Sequence, residues 1–221
     1  MIAKDLINPI IPALKVSDDI ARASSLMDDY RLSMLPVLEE EHFRGFIHED
    51  ALYDDIFDKP TLGDYPLITN GCSVRQEQHF YEVVKVASEC QNGLVAVLDS
   101  EENFLGVITA EDLVQNFAKT IAVQSSGSII ELSLKHIDYS LAEITRLIEA
   151  ENAKVMGCFL NSDEKDDTLI NVTFKLDKKN VTHIIATLKR FNYQVVRVIQ
   201  EENMVSYEKE RLDALMKYLS I

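Results

Sequence analysis

The sequence predicts an α+β protein in which two copies of a βαββα unit are followed by a module of different pattern. Strand-like segments recur at a spacing of about sixty residues, and the stretch 31–39 is echoed by 91–99. The second echo joins Phe43-Arg44-Gly45-Phe46-Ile47 to Phe104-Leu105-Gly106-Val107-Ile108. After Lys119 the pattern changes, and a short run of small polar residues follows. Two packed copies and a separate third part are therefore expected.

These observations set the predicted boundaries of the domains. The two copies are expected at 1–60 and 61–120, and they are expected to pack face to face because neither is large enough to be stable alone. The polar run predicts a linker at 121–127. A third domain is expected at 128–200, and 201–221 reads as a C-terminal helix with an apolar stripe formed by Leu212, Leu215, Met216 and Leu219.

Helix signals precede the second strand of each copy. Ser17 is the expected N-cap of the first helix, and Ser73 with Gln76 forms a capping-box pattern for the second. Gly93 is a plausible C-cap. The residues expected to face the core are Ile20, Ala23, Leu26, Met27, Tyr30, Phe80, Val83, Val84 and Ala87.

A strand-to-helix turn at 106–113 is the most informative stretch of the chain. Thr109 is the expected cap of a helix at about 110–119, and Asp112 follows three residues later. Such a turn offers backbone N–H groups to an anion, and the carboxylate could accept hydrogen bonds from the vicinal hydroxyls of a ribose. The same spacing is also a capping box, which needs no ligand. The matching helix of the first copy is expected at about 49–57.

The third domain has alternating strands and two amphipathic helices. Ser140 and Glu143 form a capping box for the first helix. The predicted strands lie at about 130–134, 154–160, 170–176 and 194–199, and the helix stripes are Leu141, Ile144, Leu147, Ile148 and Val181, Ile184, Ile185, Leu188, Phe191. The predicted order is βαββαβ, the split arrangement of ferredoxin-like folds.

Charge and cysteine usage exclude several classes of protein. The formal net charge is −15, from 22 basic and 37 acidic side chains, which argues against nucleic acid and against anionic membranes as partners. Cys72, Cys90 and Cys158 are few and widely spaced, a pattern that favours reduced thiols and a cytoplasmic setting. No segment is long and apolar enough to span a bilayer, and no apolar leader is present at the N-terminus.

Catalytic motifs are sparse. The seven glycines form no phosphate loop, and the five histidines show no metal-ligand spacing. Neither a nucleophile elbow nor a Cys/His pairing can be placed. We therefore expect no enzyme activity, no catalytic cofactor and no metal site.

The doubled unit resembles a pair of CBS domains, the tandem module named for cystathionine β-synthase. Gly106-Val107-Ile108-Thr109-x-x-Asp112 matches the signature of that family, and Leu35-Pro36-Val37 matches its hydrophobic-Pro-Val strand. The segment 128–200 resembles an ACT domain, a small regulatory module of amino-acid metabolism. The combination is similar to bacterial CBS-CBS-ACT proteins, which include acetoin-utilisation accessory proteins.

The resemblance implies a regulatory protein that binds an adenosine nucleotide (AMP, ADP, ATP or S-adenosylmethionine) in the cleft between the copies. Asp112 would hold the ribose, and Thr109 would face the phosphate or ribose. Weaker candidates for contact with the adenine are Ile10, Leu32, Ser33 and Met34. The resemblance also implies a homodimer, since CBS pairs associate through their helices and ACT domains through their sheets.

Two departures from the family pattern restrict this prediction. His48 and Ala51 stand in the first copy where Thr109 and Asp112 stand in the second, so the first site is expected to be degenerate. In the third domain, 138–141 keeps the aspartate of the ACT ligand loop and lacks its glycine. A ligand-free interaction scaffold and an amino-acid sensor therefore stay open as alternatives to a nucleotide sensor.

Overall fold

A computed structural model describes residues 1–52, 60–69, 71–90 and 93–200. It divides into two compact units, Met1–Ala118 and Lys119–Ile221. Two predictions lie outside the described residues: the C-terminal helix with its apolar stripe, and most of the helix expected at 49–57.

The first copy of the repeat occupies the N-terminal part of the first unit. Its elements are β1 (Leu14–Lys15), α1 (Ile20–Tyr30), β2 (Met34–Glu39), β3 (His42–His48) and a 3₁₀ turn (Glu49–Leu52). β1 runs parallel to β2, and β2 pairs antiparallel with β3 in a sheet of order β1-β2-β3.

The second copy repeats this arrangement. Its elements are β4 (Ser73–Arg75), α2 (Phe80–Glu89), β5 (Val95–Leu98), β6 (Phe104–Ile108) and α3 (Ala110–Ala118). The sheet has the order β4-β5-β6 with the same pattern of parallel and antiparallel pairing. The register repeats as well, because Leu14 pairs with Val37 and Val74 pairs with Val97. In each copy, a bulge in the pairing of the second strand with the third follows directly after that valine. The predicted repeat is confirmed for the three strands of each copy and for the helix between the first and second of them.

Each copy has its own buried core, and a third cluster joins them. The core of the first copy includes Leu14, Ala23, Met27, Leu35, Val37 and Ile47, and that of the second includes Val74, Phe80, Val83, Ala87, Val95 and Ile108. The joining cluster contains Met34 and Phe46 from the first copy, and Leu94, Ala96 and Val107 from the second. The apolar stripes predicted for α1 and α2 thus face their sheets, except that Tyr30 and Val84 are 38% and 39% exposed.

The cap predicted for α1 is wrong by two residues. Asp19 rather than Ser17 is the N-cap, and its Oδ1 accepts a hydrogen bond of 2.9 Å from the backbone N–H of Arg22. The chain first turns at 15–18, where Asp18 accepts from the N–H of Lys15 at 2.8 Å. That extra turn between β1 and α1 moves the start of the helix beyond Ser17.

The cap predicted for α2 is also wrong, since Ser73 lies in β4 and not before a helix. His79 is the N-cap, its Nδ1 accepts from the N–H of Tyr81 at 3.3 Å, and the Glu82 carboxylate closes a capping box. At the other end Cys90 is the C-cap, so Gly93 does not end the helix. The parallel strand β4 occupies the residues that the Ser73 pattern assigned to the helix start.

A disulfide between Cys72 and Cys90 corrects the expectation of three reduced thiols. Cys72 immediately precedes β4 and Cys90 follows α2, and packing of the helix on the sheet brings their Cα atoms to 5.6 Å, within the usual range for a disulfide. Cys158 is free. The sequence spacing did not indicate this pair, and the cytoplasmic setting inferred from the cysteine pattern stays a prediction.

The second unit contains the predicted βαββαβ order of elements. They are β7 (Ile129–Lys135), α5 (Leu141–Ala150), β8 (Val155–Ser162), β9 (Leu169–Leu176), α6 (Thr182–Arg190) and β10 (Gln194–Ile199). They form one antiparallel sheet of order β10-β7-β9-β8. Its core includes Ile130, Leu132, Ile144, Ile148, Phe174 and Leu188. Ser140 caps α5 as expected, accepting from the N–H of Glu143 at 3.3 Å.

The stretch predicted as a linker contains structure of its own. A short helix, α4 (Ile121–Gln124), packs against β8. Ser128 is fully buried, and its hydroxyl donates to the carbonyl of Lys179 at 2.6 Å. The small polar residues here fit a close approach of the chain to the sheet of the second unit.

Candidate functional site

The two copies exchange the segments that precede their first strands. The 3₁₀ turn Ala3–Leu6 is buried in the core of the second copy, and Asn8 donates its backbone N–H to the carbonyl of Val107 in β6 at 2.8 Å. In the same way Ile68 exchanges two backbone hydrogen bonds, of 2.9 and 2.8 Å, with Phe46 in β3. Asn8 and Ile68 thus occupy matched positions, since each is hydrogen-bonded to the third strand of the other copy.

Glycine makes each crossing possible. Gly106 has φ +153°, and a Cβ there would lie 2.5 Å from Cγ2 of Ile7. Gly45 has φ +140°, and a Cβ there would lie 2.9 Å from the carbonyl oxygen of Ile68. The glycine of the sequence signature therefore lets the crossing segment approach the strand, and this places Asn8 beside the turn that follows β6.

Thr109 and Asp112 form a reciprocal capping box at the start of α3. The backbone N–H of Asp112 donates to Thr109 Oγ1 at 3.0 Å, and Asp112 Oδ2 accepts from the backbone N–H of Thr109 at 3.0 Å. The Thr109 hydroxyl also donates to Oδ2 at 2.7 Å. The structure thus brings the two predicted site residues into direct contact, and the capping role predicted for this pattern is present.

Asn8 completes this group. Its Nδ2 lies 3.1 Å from both Oδ1 and Oδ2 of Asp112, and the contact is partly buried. Asn8 Oδ1 accepts from the backbone N–H of Ile10 at 3.0 Å. Sequence reasoning missed Asn8, because its partner lies 104 residues away. The sequence contains one sign of its role. The sixty-residue offset of the repeat aligns Asn8 with Ile68, so a polar side chain stands where the other copy has an apolar one.

The weaker candidates lie in different surroundings. Ile10 is 69% exposed and is linked to Asp112 through Asn8. Met34 is buried in the cluster that also contains Val107, two residues before Thr109. Leu32 packs against the core of the first copy, and the carbonyl of Ser33 accepts from the N–H of Glu49 at 2.8 Å. Their part in binding stays a prediction.

The matched turn of the first copy has different chemistry. His48 is the last residue of β3, and its Nδ1 accepts from the backbone N–H of Asp50 at 3.2 Å. Ala51 packs against the core of the first copy. A methyl group cannot accept a hydrogen bond, so this turn lacks the carboxylate that Asp112 provides in the second copy.

The loop before α5 corresponds to the ACT ligand loop, of which it keeps Asp138 and lacks the glycine. Ser140 is occupied as the helix cap, and Tyr139 packs against the core. Burial raises the pKa of the Tyr139 hydroxyl, and a hydrogen bond with the thiol of Cys158 raises it further. Burial likewise raises the pKa of the Cys158 thiol. Both groups therefore stay protonated at neutral pH.

Within the described ranges, no three His, Cys, Asp or Glu side chains gather as metal ligands would. No helix of the described residues has the length and apolar character that a bilayer requires.

Comparison with known protein families gives a match over part of the first unit. The family model of the CBS domain matches residues 3–58 of this chain. That match includes Asn8 and the complete first copy through Leu52.

Solved structures with partial similarity include several CBS proteins. A CBS domain pair/ACT domain protein from Thermotoga maritima is 18% identical with a TM-score of 0.49, over 54% of this chain and 98% of that chain. The CBS-pair protein CBSX2 from Arabidopsis thaliana is 16% identical with a TM-score of 0.48, over 53% of this chain and 94% of that chain. A second CBSX2 structure, in complex with AMP, is 17% identical with a TM-score of 0.47, over 53% of this chain and 96% of that chain.

Proposed function

We propose that the first unit is a CBS pair that binds one adenosine-containing ligand per chain and that the protein regulates a partner without catalysing a reaction. The observation that carries this proposal is the difference between matched turns. The turn of the second copy has a partly buried carboxylate, Asp112, with an amide beside it, whereas the first copy has Ala51. A carboxylate that serves only as a cap needs no such partner from a segment 104 residues away.

The chemistry of the turn fits a nucleoside with a phosphate. Asp112 supplies a carboxylate acceptor, which suits the vicinal hydroxyls of a ribose. The N-terminus of α3 favours a negative group, and the Thr109 hydroxyl lies beside it. Backbone groups at 32–34 are the proposed contacts of the adenine edge. AMP, ADP, ATP and S-adenosylmethionine all contain the required diol.

Calorimetric titration of the full chain with these four ligands tests the proposal. Asp112→Ala should weaken binding about ten- to a hundred-fold, because loss of a charged acceptor leaves ribose hydroxyls unpaired at a cost of about 1.5–3 kcal/mol. Asp50→Ala is the matched control: its side chain is 83% exposed in the first copy, and it should leave affinity unchanged. Equal affinities of wild type and Asp112→Ala would reduce Thr109 and Asp112 to a helix cap, and two equivalent sites would contradict the assignment of Ala51.

For the second unit we propose an ACT-like, ferredoxin-like domain that serves assembly. The order of its elements and its sheet supports this proposal, and the order of modules along the chain resembles that of acetoin-utilisation accessory proteins. The missing glycine at 138–141 and the occupied cap at Ser140 favour assembly over amino-acid binding. A panel of amino acids should therefore leave the melting temperature unchanged, since a ligand of the native state would raise it.

A ligand-free scaffold is the second candidate, and an apolar groove in the first unit favours it. The groove lies between α2 and α3, and Tyr81, Val114 and Phe117 are 75%, 68% and 51% exposed along it. Phe80 and Phe117 stack across it with ring centroids 6.2 Å apart. We propose that a second copy of the chain covers this groove in a homodimer.

Light scattering tests the dimer. The full chain should be a dimer or larger at tens of micromolar, and Val114→Asp should shift it towards monomer because a charge would be buried in the interface. A monomeric wild type would contradict the dimer. A dimer that binds none of the four ligands would favour the scaffold over the sensor.

A further inference from the structure

Asn8 holds the Asp112 carboxylate from a segment whose position is fixed on both sides. Its backbone is fixed to β6 by the hydrogen bond to Val107, and Ala3 and Leu6 are buried in the core of the second copy. Beyond it, Leu14 is buried in the core of the first copy. The residues between Asn8 and Leu14 therefore connect the two cores.

The acceptor positions of Asp112 are nearly all occupied. Oδ2 accepts from the backbone N–H of Thr109, from its hydroxyl and from Asn8 Nδ2, at 3.0, 2.7 and 3.1 Å. Oδ1 accepts from the same Asn8 amide at 3.1 Å. A carboxylate offers about four lone-pair positions over its two oxygens. Thr109 alone fills Oδ2, so a ligand can reach only Oδ1, which has room for one further hydrogen bond while Asn8 stays in place. Both hydroxyls of a vicinal diol can donate to Oδ1 only after Asn8 has left it.

The turn after β3 in the first copy lacks both members of this contact. Ile68 stands at the position matched to Asn8, because each forms a backbone bridge to the third strand of the other copy. Ile68 bridges to Phe46 in β3, and Asn8 bridges to Val107 in β6. Ala51 stands at the position matched to Asp112. The amide and the carboxylate thus occur together in one copy and are both replaced by apolar side chains in the other.

We propose that Asn8 is an internal occupant of the nucleotide site, which a diol-bearing ligand must displace from Asp112 in order to bind. This inference rests on the proposed function and adds its regulation. Displacement rotates the Asn8 side chain, which also breaks the hydrogen bond that Asn8 Oδ1 accepts from the Ile10 N–H. Ligand binding in the second copy is thereby transmitted to the segment that leads into the first copy.

Calorimetry with AMP on the full chain tests the competition. Asn8→Ala should bind AMP about tenfold more tightly than wild type, because no internal donor has to leave the charged acceptor. Asn103→Ala is the matched control, since Asn103 Nδ2 donates to the Asp99 carboxylate at 3.1 Å within the same unit, and it should bind AMP as wild type does. With 2′,3′-dideoxy-AMP, which lacks the diol, Asn8→Ala should give no gain.

The possible outcomes separate the inference from the proposed function. Tighter binding by Asn8→Ala, or binding by that variant alone, supports the inference. Equal or weaker binding by Asn8→Ala overturns it and leaves the nucleotide site standing, whereas no binding by either protein overturns both. If Asn8→Ala fails to fold, amide exchange in isotope-labelled wild type decides: AMP should speed exchange of the Ile10 N–H, and unchanged or slower exchange in the presence of bound AMP contradicts the displacement.

Discussion

The two copies of the first unit share a backbone plan and differ in the chemistry placed on it. Strand order, register, the bulge between the second and third strands and the glycine at the crossing all repeat. At the turn, Thr109 and Asp112 of the second copy correspond to His48 and Ala51 of the first. The comparison teaches that apolar spacing and the crossing glycines determine the fold, whereas the polar residues of the turn can change without altering it.

A second difference concerns covalent stabilisation. The second copy has the disulfide between Cys72 and Cys90, whereas Pro12 and Tyr30 stand at the matched positions of the first copy. The two copies also share a cluster that includes both cysteines and Met34. The disulfide therefore stabilises the second copy and the contact surface that the first copy packs against.

The largest predicted effect concerns this disulfide. Cys90→Ser should lower the free energy of unfolding of the first unit by about 3 kcal/mol, because the bond closes a loop of 18 residues and restricts the unfolded chain. Hydrogen exchange measured by mass spectrometry assigns the loss to a unit, and residues 128–200 should keep their protection. Cys158→Ser, at the free cysteine of the second unit, is the control. Unchanged stability after reduction with dithiothreitol would show that the two thiols are not paired in solution.

A double-mutant cycle on Asn8 and Asp112 measures the polar contact directly. The coupling energy in the free energy of unfolding should be about 1.5 kcal/mol, as is typical of a hydrogen bond to a charged group. Either single substitution already removes this bond, so the double substitution should cost less than the sum of the two. Urea unfolding followed by circular dichroism gives the four values.

The matched pair of the first copy is the comparison for this cycle. Ile68 packs in the joining cluster and Ala51 against the core of the first copy. Substitutions Ile68→Ala and Ala51→Gly should therefore add within about 0.5 kcal/mol, as independent sites do. A coupling at this pair as large as that of Asn8 and Asp112 would contradict the difference drawn between the two copies.

The sequence predicted what depends on local pattern. The alternation at Ile170, Val172 and Phe174 and the stripe at Val83 and Ala87 follow from the burial of one face, and the structure confirms both. Thr109 and Asp112 were predicted to lie together because they are three residues apart on one helix start.

Contacts between distant residues could not be predicted in this way. Asn8 and Asp112 meet only because the crossing segment lies on β6, and no local signal marks that exchange. The disulfide has the same origin, since packing of α2 on its sheet brings Cys72 to Cys90. Even short-range signals failed where a strand competed for the same residues, as at Ser73 in β4.

The smallest predicted effects concern the helix caps, which again compare the copies at matched positions. Asp19→Ala should destabilise the first unit by about 1 kcal/mol, because a charged acceptor 2.9 Å from the N–H of Arg22 is lost at the positive end of α1. His79→Ala should cost about half as much, since a neutral ring nitrogen 3.3 Å from the N–H of Tyr81 is a weaker acceptor. Ser17→Ala, at the cap predicted from sequence, is the control and should change stability by less than about 0.5 kcal/mol. Urea unfolding of the three variants ranks them, and a loss at Ser17 equal to that at Asp19 would return the start of α1 to the position that the sequence pattern favoured.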